Sequence, residues 1–323
     1  MTPATAPAKL ILCGEHAVVY GRPAIALPLG DVRASAAVAS GPPGTGLRLL
    51  APDLGEAWAA TAAPDNPLSE LALTVAARFG LAGADLTVTL GSAIPIASGM
   101  GSGAAIGTAL VRALAAHSGV VLPPAEVAAL VYASEQRFHG TPSGIDNTVV
   151  AYEQAIWYVR PPSPNHHGPS VPTLAPICIG TPLMLVVGDT GVRSATKLPV
   201  GAVRAAWQAD PATYEAHFAA VGGVVTQARA ALANGELPRL GQLLDANQAL
   251  LEQLGVSSPA LEQLVAAARS AGALGAKLSG AGWGGVMLAL VNATTCGAVV
   301  EALQAAGATR VLVTTVGAVT DPV

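Results

Sequence analysis

Pro95-Ile96-Ala97-Ser98-Gly99-Met100-Gly101-Ser102-Gly103-Ala104-Ala105 joins an apolar, alternating stretch to an alanine-rich helical one. Three glycines in five positions let the backbone curl so that successive N–H groups point inward. The helix that follows adds the partial positive charge of its N-terminus. The arrangement suits a phosphate group. It matches neither the Walker pattern, which ends in Gly-Lys-Ser/Thr, nor the Rossmann spacing in a chain-opening unit. A tight structural turn is an equal alternative for this loop taken alone.

Around the loop the periodicity alternates between strand and helix. Lys9 to Cys13 reads as a strand running into Gly14-Glu15-His16, and Ala24–Leu27 and Arg33–Ala39 as two more. Leu68, Leu71, Val75 and Phe79 recur at helical steps within Pro67–Gly80, and Asp85–Leu90 alternates as a strand. Helices are expected over Ala104–His117 and Pro124–Phe138, and a strand over Val149–Val159. After the proline-rich run Arg160–Pro169, Pro182–Val187 reads as a strand. Four helices follow, at about Val200–Trp207, Ala212–Asn234, Leu237–Leu254 and Pro259–Ala271. Lys277–Val291 holds a glycine turn and a strand, Cys296–Ala306 a helix, and Thr309–Val316 a closing strand. The class is α+β in two halves, with the boundary near residue 165: 1–165 and 166–323.

Composition narrows the function. The chain has 323 residues, 52% hydrophobic and 11% charged. Much of the apolar excess is alanine and glycine. Leu86–Val111 and Leu278–Val300 carry no charge over membrane-spanning lengths, but repeated glycines would leave backbone groups unpaired in lipid. No membrane partner is expected. The first nine residues lack the basic start and apolar run of a signal peptide, so a cytoplasmic location is expected. A net charge of −4 argues against a nucleic-acid partner. Cys13, Cys178 and Cys296 are odd in number and far apart, which fits neither a disulfide framework nor a zinc site.

The glycine loop resembles the second motif of the GHMP kinases, Pro-x-x-x-Gly-Leu-Gly-Ser-Ser-Ala-Ala. Four more stretches match in order. Lys9-Leu-Ile-Leu-Cys-Gly-Glu-His-Ala-Val-Val-Tyr-Gly21 is similar to the opening motif in its mevalonate kinase form. Lys277-Leu-Ser-Gly-Ala-Gly-Trp-Gly-Gly285 is similar to the third. Gly188–Lys197 and Asn247–Val256 resemble further segments of that branch, so the likeness runs from Lys9 to Val316. It implies the two-domain GHMP fold: an N-terminal half like ribosomal protein S5 domain 2, with a left-handed βαβ, and a ferredoxin-like C-terminal half. It also implies transfer of the γ-phosphoryl group of ATP to a small hydroxylated acid, mevalonate, with Mg2+, and it is compatible with a homodimer.

The resemblance assigns roles residue by residue. Asp146, in the turn His139–Asn147, falls where the family carries its catalytic carboxylate; by itself it reads as an ordinary turn residue. Lys9 falls where a lysine sits between that carboxylate and the γ-phosphate; by itself it reads as a snorkelling strand lysine. Glu135 matches the Mg2+ carboxylate, with Ser102 as a second metal oxygen. Pro95, Ala97, Ser98, Gly99, Met100, Gly101, Ser102 and Gly103 form the ATP phosphate loop. Glu15, His16, Val19 and Thr196 line the acceptor, with Glu15 holding Lys9 or His16 in place and Ser143 capping the Asp146 turn. Lys277–Gly285 supports the phosphate loop without direct chemistry.

Two positions depart from the pattern. Gly103 stands where a second serine is usual, and Trp283 where a smaller or basic residue is common. Rival readings are phosphomevalonate or homoserine as acceptor, a diphosphomevalonate decarboxylase relative, and a non-catalytic ATP-binding relative. Lys9, absent from the decarboxylases, and Asp146 weigh against the last two. Arg193 and Lys197 are the only nearby candidates for an acceptor phosphate. An NAD-dependent reading fails because no acidic residue ends a strand in the required place.

Overall fold

A computed structural model describes residues 1–95, 98–139, 142–160 and 172–319. The chain divides into two compact units. One comprises Met1–Lys9, Gly30–Ile96 and Gly101–Glu153; the other comprises Leu10–Leu29, Ala97–Met100 and Gln154–Val323. Strands β1 (Thr2–Cys13) and β2 (Pro23–Ser40) each contribute residues to both.

In the first unit, residues 34–40 of β2 pair antiparallel with β5 (Leu86–Ser92), which runs parallel to β3 (Leu47–Ala51). β4 (Glu56–Ala59) pairs antiparallel with β3. Helix α1 (Pro67–Arg78) lies between β3 and β5 in the chain and completes a βαβ crossover. It starts where Asn66 accepts from the amides of Leu68 (2.9 Å) and Ser69 (3.3 Å), with Pro67 in the first turn. α1 packs on α2 (Ser102–His117), and α2 also packs on α3 (Pro124–His139) and α4 (Ile145–Tyr152). Gly107 permits the close approach of α2, since a Cβ there would lie 3.3 Å from Leu71 and 3.5 Å from Val131. Ala104, Ala105, Ala109, Ala113 and Ala115 of α2 are buried. The alanine excess thus builds tight helix packing.

In the second unit, residues 23–26 of β2 pair with β6 (Ile156–Val159), and β6 pairs with β7 (Thr173–Pro176), all antiparallel. Later in the chain come β8 (Leu183–Asp189), α5 (Lys197–Ala209), α6 (Pro211–Asn234), α7 (Leu237–Gln253) and α8 (Pro259–Ser270). They are followed by β9 (Gly275–Ser279), β10 (Val286–Val291), α9 (Cys296–Ala305) and β11 (Arg310–Val316). The four late strands form an antiparallel sheet in the order β11-β8-β10-β9. α7 lies almost on the backbone of β9. A Cβ on Gly275 would sit 2.0 Å from the Gly241 carbonyl oxygen, so neither position accepts a side chain without parting the two elements.

Three expectations need correction. Ala24–Leu27 and Arg33–Ala39 belong to one strand, β2, which stays extended through exposed Gly30-Asp31, where the buried positions change from odd (Leu27, Leu29) to even (Val32, Ala34). Val149–Val159 is not one strand: its first half belongs to α4, whose Val149 and Val150 are buried, and only Ile156–Val159 is extended. A short apolar run does not by itself separate a buried helix from a buried strand. Lys277–Val291 contains two strands around its glycine turn. Strands β3, β4 and β7 were not anticipated. Most of the proline-rich run, Pro161–Pro169, lies outside the described residues, as does Ala97.

Candidate active site

The first unit brings Lys9 and Asp146 together. Lys9, near the end of the unit's share of β1, is 2% exposed, and its Nζ lies 2.9 Å from Asp146 Oδ1. Burial of an ammonium is tolerable only with such a partner. Asp146 stands in the first turn of α4, after Gly144 in the left-handed conformation (φ 85°), and Ser143 Oγ accepts from the Ile145 amide at 3.3 Å. The helix N-terminus favours a carboxylate there. A third of the Asp146 side chain stays exposed (34%), so one face remains open to an incoming group.

Glu135, half-buried on α3, belongs to the same electrostatic neighbourhood. Burial, and next the negative charge of Asp146, push its carboxyl up to about 8, while Lys9 pulls the other way. Among the described residues no group of three or more metal-ligating side chains occurs. A hard cation takes one or two protein oxygens and draws the rest of its shell from phosphates and water. Ser102 opens α2 as a half-buried hydroxyl of the same hard kind. A Cβ at Gly103 would meet nothing within 4 Å, so the missing second serine is not forced by space.

Gly101 turns the loop into α2 at φ 74°. A Cβ there would lie 2.8 Å from Lys9 Cγ and 3.0 Å from Lys9 Cε, so the glycine makes room for the lysine stem. This coupling was not visible in the sequence, where 91 positions separate the two residues. Among the described residues, the amides of Gly99, Met100, Gly101 and Ser102 donate to no protein acceptor. Pro95 is half-buried at the loop's start.

The second unit assembles the glycine motifs. A Cβ on Gly285 would lie 2.7 Å from the Ser98 carbonyl oxygen, and one on Gly99 would lie 3.4 Å from that of Ser279. The Gly285 amide donates to the Val192 carbonyl, and Thr190 Oγ1 donates to the Gly285 carbonyl at 2.8 Å. Trp283 has φ 58°; its backbone amide donates to Val256 O (2.9 Å) and its indole Nε1–H to Gly255 O (2.8 Å). Its large ring therefore latches the third motif to the turn after α7, which a smaller residue would not do.

Lys277 does more than the sequence implied. It is fully buried, and its Nζ donates to the Glu15 carboxylate and to Leu278 O (2.5 Å). Glu15 thus engages Lys277, while Lys9 in the first unit engages Asp146. His16 Nε2 lies 2.9 Å from the Ala281 carbonyl, which only accepts, so Nε2 carries hydrogen. Burial lowers its pKa to about 4, and the imidazole is neutral at ordinary pH with a bare Nδ1. Val19 is half-buried in the short 3-10 turn Ala17–Tyr20. Thr196, exposed, precedes α5 and makes no capping bond. Arg193 reaches Asp189 at 3.2 Å. No helix among the described residues is long and apolar enough to cross a membrane.

The chain is similar to known proteins. The family model for the GHMP kinases N terminal domain matches residues 66–154, and that for GHMP kinases C terminal matches residues 228–309. The mevalonate kinase of Thermococcus sibiricus is 34% identical over 307 residues, covering 89% of this chain and 88% of its own. That of Aeropyrum pernix is 36% identical over 296 residues, covering 89% and 87%. The crystal structure of L. major mevalonate kinase in complex with R-mevalonate superposes with a TM-score of 0.83 at 32% identity, over 98% of this chain and 96% of that one. A Streptococcus pneumoniae phosphomevalonate kinase, 17% identical over 97% of this chain and 100% of its own, has a TM-score of 0.81, a likeness of fold alone.

Proposed function

The chain belongs to the GHMP kinase family, and from that membership we propose that it phosphorylates the 5-hydroxyl of mevalonate with ATP, giving 5-phosphomevalonate in isoprenoid biosynthesis. The observation that carries the mechanism is the buried Lys9 ammonium 2.9 Å from a partly open Asp146. Phosphoryl transfer needs chiefly positioning and charge neutralisation. Asp146 receives or orients the proton of the attacking hydroxyl on the oxygen that Lys9 leaves free. Lys9 holds that carboxylate in place and offsets charge as it builds on the γ-phosphoryl oxygens. The amides of Gly99–Ser102 and the N-terminus of α2 receive the ATP phosphates. Glu135 and Ser102 hold Mg2+, which neutralises phosphate charge when bound.

Glu15, His16, Val19 and Thr196 form the acceptor side. Arg193 is already engaged by Asp189, which favours an unphosphorylated acceptor over phosphomevalonate. Halves at 1–165 and 166–323, a homodimeric assembly and a cytoplasmic location complete the reading.

The test measures ADP release by purified protein with mevalonate, phosphomevalonate, homoserine or galactose, combined with Asp146→Asn and Lys9→Met. Mevalonate should be the preferred acceptor. Asp146→Asn should lower kcat by about 10²–10⁴-fold, and the double variant should be little worse than Asp146→Asn alone, because the two act as one unit. Preference for another acceptor, or near-normal turnover in Asp146→Asn, overturns the proposal.

A further inference from the structure

The segment Glu15-His16-Ala17 forms a γ-turn with a positive φ at its centre. His16 has φ 59° and ψ −53°, and the Ala17 amide donates to the Glu15 carbonyl at 2.6 Å. This is the rare, strained form of the three-residue turn, and His16 is not a glycine. Such a conformation persists only where its surroundings over-determine it.

The surroundings are all in the second unit. The Gly14 amide before the turn donates to Asn247 Oδ1 at 3.2 Å. The Glu15 carboxylate meets the buried Lys277 ammonium. The His16 ring is tied to Ala281 O, four residues beyond Lys277 in the third glycine motif. Ser279 Oγ accepts from the Ile11 amide at 3.1 Å and donates to the Ile11 carbonyl at 3.0 Å, fixing β1 just before the turn. Gln248 Oε1 accepts from the Leu278 amide at 2.8 Å, holding the strand that carries Lys277. Lys277 is the cation in this cluster, and its charge meets the turn at its first residue.

We infer that Lys277 is a positioning residue for the acceptor side of the site: its buried pairing with Glu15 holds the strained turn that aims the His16 imidazole. The neutral ring has one nitrogen committed to Ala281 and the other, Nδ1, left as an acceptor for a substrate hydroxyl. Without the Lys277 ammonium, the turn relaxes toward negative φ and the ring swings off its aim. The inference rests on His16 lining the acceptor, as proposed above.

The experiment is steady-state kinetics on the full chain, varying mevalonate and ATP separately, for wild type, Lys277→Met and Glu15→Gln/Lys277→Met. The double variant removes both charges and so avoids a buried carboxylate left without its cation, which by itself can prevent folding. Both variants should raise the KM for mevalonate about tenfold, with KM for ATP and kcat changed by less than about threefold. A crystal structure of the double variant should show His16 at negative φ. A folded double variant with a wild-type KM for mevalonate, or with His16 still at positive φ, overturns the inference. If the wild-type protein turns over a different acceptor from the panel, the functional proposal fails, and the same kinetics with that acceptor decide the role of Lys277.

Discussion

Gly101→Ala should damage catalysis through Lys9 rather than through nucleotide binding alone. The new methyl would stand 2.8 Å from Lys9 Cγ and 3.0 Å from Cε, where ordinary contact begins at 3.4 Å. Going from 2.8 to 3.4 Å, the stem must retreat by about 0.6 Å. Lys9 is buried and has little room to give, so its Nζ shifts relative to Asp146. Alanine at φ 74° adds a backbone cost of about 1–2 kcal/mol. A misplacement of about 1 Å near a reacting centre costs on the order of 10²-fold, so kcat should fall by about 10- to 100-fold. The assay is ADP formation at saturating mevalonate over a range of ATP, for wild type, Gly101→Ala, Lys9→Met and the pair combined. If the glycine acts by making room for the lysine, adding Gly101→Ala to Lys9→Met should cost less than about threefold. An equal loss of kcat in both backgrounds, or a pure rise in KM for ATP, would refute this reasoning.

Two further outcomes follow from the titrating groups. Glu135 keeps its proton up to about pH 8 when no metal is bound, and Mg2+ must displace that proton. The Mg2+ concentration for half-maximal rate should therefore fall as pH rises from about 6 to about 8, and Glu135→Gln should abolish this trend and raise the requirement throughout. His16 has its pKa lowered from 6.5 to about 4 by burial, so the unfolded chain binds its proton more readily. Its contribution to stability is full above about pH 6.5 and is lost as pH falls toward 4. Urea unfolding at several pH values should show a shallower loss over that window in His16→Gln than in wild type; identical slopes would contradict the burial of a neutral ring.

The sequence alone determined the class and the family. Strand–glycine–helix order and helical steps such as Leu68, Leu71 and Val75 are local features, because helices and turns are set by neighbours in the chain. Five motifs in order named the family, and through it pointed to Asp146, Lys9 and Glu135 as the proposed site. Tertiary structure decided which charges meet. Lys9 and Asp146 are 137 positions apart, and Glu15 and Lys277 are 262 apart. An ion pair of that separation has no local signature, since a buried ammonium and a solvated one look alike in sequence. Packing likewise decided that Val149 and Val150 are helical, because apolar side chains satisfy a helix core or a sheet core equally well. It decided too that Gly101 serves Lys9: a missing side chain reveals its purpose only when the atoms filling its place are known.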